Sequence, residues 1–139
     1  MRHLGLDIGD RKIGIAISDA EQILASPLTT VIRNDDEQAI HDILALVNSY
    51  QVEKIIIGLP YSLNGNIGNQ AGKVKVFVDK LAQRTNVEIE LRDERLSTVA
   101  VERLLMEAGM KGQKRREQRD AAAAAFILQG YLDSLKASG

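Results

Sequence analysis

Two short apolar runs joined by a tight turn, a third run close behind, and two later strands each reached through a helical segment predict an α/β fold. That fold is a five-stranded mixed sheet, a three-strand antiparallel meander plus two parallel strands, with helices on both faces. The meander is predicted because "DRK" is too short for anything but a hairpin connection between residues 3–9 and 13–18. The parallel strands follow because a helix lies between each and the strand before it.

Taken in order, Leu4, Leu6 and Ile8 alternate with His3, Gly5, Asp7 and Gly9, and "IGIAIS" follows over residues 13–18. "LTTVIR", Leu28 to Arg33, is the third strand, starting after Pro27. The acids of "NDDEQ" suit a helix start, and Ile40, Ile43, Leu44 and Val47 recur at helical spacing. "KIIIGLP" is apolar throughout, which predicts a central strand covered on both faces and ended by Pro60. "YSLNGNIGNQAG" is polar and Gly/Asn-rich, a loop before a second helix marked by Val74, Phe77, Val78 and Leu81. "VEIELR" is the fifth strand, and "LSTVAVERLLMEAG" a third helix capped by Ser97 or Thr98 and closed by Gly109. A basic connection, "MKGQKRREQR", leads to a last helix over residues 120–136 with Ala124, Ile127, Leu128, Tyr131 and Leu135 inward.

At 139 residues and 45% hydrophobic content, the chain is expected to form a single domain, 1–139. With no cysteine, thiol catalysis and thiolate–zinc sites are excluded. The longest apolar run, "AAAAAFIL", is too short to cross a bilayer, and Asp7 and Asp10 interrupt any signal-like start, so a cytoplasmic protein without membrane association is expected. A net charge of -1 argues against a general nucleic-acid coat protein but leaves local basic patches open.

Three carboxylate positions are candidates for chemistry. Asp7 breaks an apolar strand, and alternation puts it on one face with Gly5 and Gly9, as if something must approach the backbone there. Asp120 opens the last helix, where it suits a cap; yet it shares the face of Ala123, Ala124 and Ile127, which a cap does not need. Glu94, with Asp93 beside it, follows the fifth strand, where acids also complement a helix start. A run of alanines lets the last helix come close, bringing Asp7 and Asp120 together. Two carboxylates against an apolar wall need a proton or a cation, and oxygen donors without cysteine or a histidine pair favour Mg²⁺ or Mn²⁺. His3 and His41 read as a strand-end and a solvated helix residue.

The segments "LDIGDRKIGIAISD", "IIIGLPYSLNGNIGNQAGKV", "RDERLSTVAVERLLMEAG" and "RDAAAAAFILQGYLD" together resemble the bacterial YqgF (RuvX) family, in the family's order over nearly the whole chain. The resemblance implies an RNase H-like fold and a cytoplasmic nuclease that trims the 5′ end of pre-16S rRNA. It also implies kinship with Holliday-junction resolvases of the RuvC type. Carried over by motif, the family's acids fall on Asp7, Glu94 and Asp120, with Asp93 as the alternative second acid. One or two Mg²⁺ or Mn²⁺ ions held there would serve phosphodiester hydrolysis by water. Related nucleases take an acid from the end of the fourth strand, whereas here that strand ends in "GLP", so Glu94 must reach sideways across the sheet end.

Arg11 and Lys12 beside the first acid, Arg95 beside the second, and the run Lys111, Lys114, Arg115, Arg116 and Arg119 are the expected nucleic-acid contacts. Asn64 and Gln70, from the loop after strand four, would border the same cleft. With two Phe, three Tyr and no Trp there is little material for base stacking, so recognition of backbone and shape is expected. Three rival readings stay open. One is a branched-DNA resolvase, another a non-catalytic RNA-binding factor using the basic run. The third is an actin-like ATPase hairpin in "DIGDRKIG", which would need a second lobe.

Overall fold

A computed structural model describes residues 1–60, 69–94 and 112–138. Its elements are β1 (Arg2–Ile8), β2 (Lys12–Ser18), β3 (Ala25–Ile32), α1 (Asp36–Tyr50), β4 (Val52–Pro60), α2 (Asn69–Ala82), β5 (Glu88–Glu94) and α3 (Gly112–Ser138). The five strands form one sheet in the order β3-β2-β1-β4-β5. β1 pairs antiparallel with β2, as β2 does with β3, while β1–β4 and β4–β5 are parallel. This is the mixed sheet expected from the hydrophobic pattern.

Alternation along the strands sorts the two cores. Leu4, Leu6, Ile8, Ile13, Ile15, Ile55 and Ile57 face α1 and α2, meeting Ile40, Ile43, Phe77 and Leu81. Ala16 and Ile56 face the opposite way, against Ala124, Ile127, Leu128, Tyr131 and Leu132 of α3. Ile55, Ile56 and Ile57 are each fully buried, as the continuous apolar run of a doubly covered central strand requires. The entry to α1 is fixed by capping: the Asp35 side chain accepts from the Gln38 amide, and the Gln38 side chain accepts from the Asn34 amide.

Several boundaries differ from the sequence reading. β3 starts at Ala25 and contains Pro27. Ile15 pairs with Thr29 and Ala16 with Pro27, so Leu28 is the extra residue of a bulge. A proline is tolerated there because β3 is an edge strand. α2 starts at Asn69, so Gln70 stands in the first turn of a helix rather than in a loop. α3 starts at Gly112, so Lys114, Arg115, Arg116 and Arg119 belong to a helix rather than a connection. Lys, Arg, Gln and Glu are good helix formers, and that propensity outweighs the want of an apolar stripe. The helix predicted around residues 97–109, the loop of residues 61–68, and with them Asn64, Arg95 and Lys111, lie outside the described residues.

Candidate active site

Asp7 lies near the C-terminal end of β1, directly opposite Gly14 of β2. Paired residues share a sheet face, here the one covered by α3. Gly14 is where that helix touches down. A β-carbon at residue 14 would lie 1.8 Å from the Asp120 carbonyl oxygen and 2.2 Å from its carbonyl carbon, so only glycine fits. Two further bare positions continue the track. A β-carbon at Gly5 would stand 2.8 Å from Leu128 Cβ and 3.0 Å from the Ala124 carbonyl oxygen; one at Gly58 would stand 2.6 Å from Ile127 Cδ1. Glycines on β2 and β1, and Ala121 to Ala124 on the helix, thus allow backbone-to-backbone approach, while Gly58 on β4 makes room for the Ile127 side chain. Gly9 is not part of that track, since its absent side chain makes room for the Lys12 carbonyl within the hairpin turn.

Asp120 is eight residues into α3. The cap reading is therefore excluded, because a cap satisfies the free amides of a helix's first turn. The sheet-facing reading fits: Ala124, Ile127, Leu128 and Tyr131, which follow at helical spacing, are all buried against the sheet. Burial, and then the charge of Asp120, push the Asp7 carboxyl up to about 6. Among the described residues no Lys, Arg or His forms an ion pair with either carboxylate. Among the described residues, then, the two acids oppose each other with no cation paired to either, and two carboxylates are a donor set that suits a hard divalent ion.

The remaining acids are placed by register. Glu94 pairs with Pro60, Asp93 with Leu59 and Arg92 with Gly58. The period-two alternation puts position 94 in the row of Arg92 and Gly58, on the sheet face that α3 covers, and position 93 in the row of Leu59, on the face of α1 and α2. Asp7 comes one residue after Leu6, which pairs with Ile57, so it is level with Gly58 and Arg92. Glu94 is one pleat repeat further along and two strand widths aside, about 10 Å laterally at ordinary strand spacing. Among the described residues no three acidic or histidine side chains gather as metal ligands. The side chain of Glu94 is not among those described.

Arg11 and Lys12 are exposed on the turn that follows Asp7, and Arg119 is exposed on α3 beside Asp120. Two residues escaped the sequence reading. Arg92 is level with Asp7 on the α3 face and donates to Ser134 Oγ at 3.5 Å; alternation in "VEIELRDE" carried that signal. Arg33 donates to the Gly9 carbonyl at 2.8 Å from beyond β3, which nothing local announces. His3, expected at a strand end, is 4% exposed and shares Glu53 with Gln22, far from Asp7 at the other end of β1.

A five-stranded mixed sheet in this order, antiparallel across β3-β2-β1 and parallel across β1-β4-β5 with helices on both faces, is an RNase H-like fold. The family model described as "RuvX: Holliday junction resolvase" matches residues 1–134, and the chain belongs to that family. A Clostridium botulinum relative, which carries the provisional name pre-16S rRNA nuclease, is 47% identical over 135 residues, covering 97% of this chain and 98% of its own. Among solved structures, the fowlpox virus resolvase in complex with Holliday junction DNA aligns with a TM-score of 0.59 at 13% identity, over 97% of this chain and 99% of its own. Thermus thermophilus RuvC with its Holliday junction substrate aligns at 0.58 and 14% identity, over 98% of this chain and 96% of its own. These two likenesses show the fold alone.

Proposed function

We propose that this nuclease is metal-dependent and processes the 5′ end of pre-16S rRNA, with Asp7, Glu94 and Asp120 holding one or two Mg²⁺ or Mn²⁺ ions. The observation that carries the metal dependence is the pair of carboxylates at residues 7 and 120, brought together by the bare position at Gly14, with no ion pair to either among the described residues. Bound there, such an ion would supply Lewis acidity for phosphodiester hydrolysis by water. The chain's own residues do the rest. Asp7 and Asp120, ionised, fix the position of the charge that the scissile phosphate must meet. Arg11 and Lys12, exposed just past the end of β1, hold the phosphate against it. The basic start of α3 guides the phosphate backbone toward Asp120, which the same helix carries. The rRNA substrate is supported by the names of relatives 47% identical over nearly their full length.

The deciding experiment gives one preparation, with and without Mg²⁺ or Mn²⁺, a 5′-extended precursor of 16S rRNA and a four-way DNA junction. Metal-dependent trimming of the rRNA end is expected. Cleavage of the junction alone would replace this reading with that of a branched-DNA resolvase. Tight RNA binding without cleavage would replace it with that of a non-catalytic RNA-binding factor.

A further inference from the structure

We propose that Arg33 is the positioning residue of the hairpin turn following Asp7, and that the turn depends on the planar guanidinium rather than on its charge. The inference rests on the reading of that hairpin as part of the nuclease site.

The turn from Gly9 to Lys12 is closed by one internal bond, the Gly9 amide to the Lys12 carbonyl at 2.9 Å. Arg33, just beyond β3, holds both of its arms. Its backbone amide donates to the Arg11 carbonyl at 2.8 Å, and Nη1 donates to the Gly9 carbonyl at 2.8 Å. The guanidinium is itself held by two further groups. Nε and Nη2 both lie 2.9 Å from Asp36 Oδ1, in the first turn of α1. Its Cζ stands 4.8 Å over the ring of Phe77, a fully buried residue of α2. The other Asp36 oxygen takes Lys80 of α2 at 2.8 Å. One side chain thus ties the turn that carries Arg11 and Lys12 to both helices on the face opposite α3.

A lysine cannot reproduce this arrangement. It has no fork to reach Asp36 and Gly9 together and no plane to lay on Phe77. A cleft of about 420 Å³ beside it, lined in part by Asp10, Asp35 and Lys73, would also offer its ammonium other carboxylates. Charge at residue 33 would survive, and the tether to Gly9 would not.

The test compares Arg33→Lys with the parent by amide hydrogen exchange and by cleavage of the precursor RNA. Arg84→Lys serves as control, since Arg84, just past the end of α2, pairs with Glu37 of α1 and not with the turn. For Arg33→Lys, the Gly9 and Arg33 amides should exchange about tenfold faster while the β1 and β4 amides keep their protection. kcat should fall about tenfold to a hundredfold, the scale on which small misplacements act. Unchanged exchange at Gly9, exchange raised equally throughout the sheet, or a loosened turn with undiminished kcat would each overturn the proposal. If the parent itself cleaves nothing, the nuclease reading fails, and selective exchange at the turn still decides whether Arg33 positions it. Should Arg33→Lys not fold, Asp36→Ala removes the oxygen that ties the guanidinium to α1 and must show the same selective loosening, or the proposal falls.

Discussion

The backbone of Asp120 occupies the space that a side chain at residue 14 would need, 1.8 Å from the position of its β-carbon. Gly14 is in turn the strand partner of Asp7. The distance between the two candidate catalytic acids is therefore set by a missing methyl group rather than by either acid.

Gly14→Ala should consequently push α3 off the sheet, because the clash is with backbone and no rotamer relieves it. The expected cost is about 3 kcal/mol, the upper end for overpacking, together with loss of cleavage. Gly72→Ala on α2, where a β-carbon meets nothing within 4 Å among the described residues, should instead stabilise the chain by about 0.5–1 kcal/mol. Urea denaturation of the two variants reads both signs.

The raised Asp7 carboxyl makes a prediction of definite sign. Its folded value of about 6 lies above the ordinary value of about 3.9, so between those pH values the folded state binds the extra proton. Stability from this group is then fully present below about pH 4 and is lost as pH rises through 6. The loss amounts to about 3 kcal/mol at most, at 1.36 kcal/mol per pH unit. Asp36, held below the ordinary range by Lys80 and also Arg33, contributes the opposite slope in both proteins. The readout is therefore the difference between parent and Asp7→Asn in metal-free urea titrations from pH 4 to 7. Asp7→Asn should gain on the parent as pH rises.

Register separates the adjacent acids that end β5, which the sequence reading places past the strand, since position 94 lies in the row on the α3 face and position 93 in the row of Leu59. Glu94→Gln should abolish metal-dependent cleavage, whereas Asp93→Asn should keep it within a few-fold. Single-turnover rates on one RNA substrate compare them. The reverse pattern would transfer the role to Asp93.

Much of this was legible in the sequence because period and burial are local. Ile55 to Ile57 could only be a doubly covered strand, and Ile40, Ile43 and Val47 could only be one helix face. Asp7 drew notice by breaking a strand, and Asp120 by sharing a face with Ala124 and Ile127. What was not legible depends on residues distant in the chain. Gly14 matters only because a helix more than 100 residues later lands on it, and in the sequence it is one more glycine in "IGIAIS". Arg33 ends an apolar run as any solvated arginine would; only the tertiary fold places Gly9, Asp36 and Phe77 around it. The start of α3 was missed because a helix without an apolar stripe gives no periodic signal.

The basic start of that helix should contribute through phosphate contacts. Replacing Lys114, Arg115 and Arg116 by alanine should weaken RNA binding across sequences and flatten the dependence of log K on log salt. Each lost contact should remove about 0.9 from the slope on a duplex or about 0.7 on a single strand. Filter binding from 50 to 300 mM salt measures it, and an unchanged slope would leave these residues as solvated surface.

The central claim, that Asp7 and Asp120 are held together for a metal, is tested most directly by thermal denaturation of the parent and Asp7→Asn at pH 7, with and without Mn²⁺. Without metal, Asp7→Asn should melt higher, because it removes the buried repulsion that raises the Asp7 carboxyl. With Mn²⁺ the parent should gain by mass action, about 2.7 kcal/mol at a hundred times the dissociation constant, and Asp7→Asn should gain much less. If Asp7→Asn instead melts lower without metal and both proteins respond equally to Mn²⁺, the Asp7 carboxylate is a structural group and the metal-centred account is wrong.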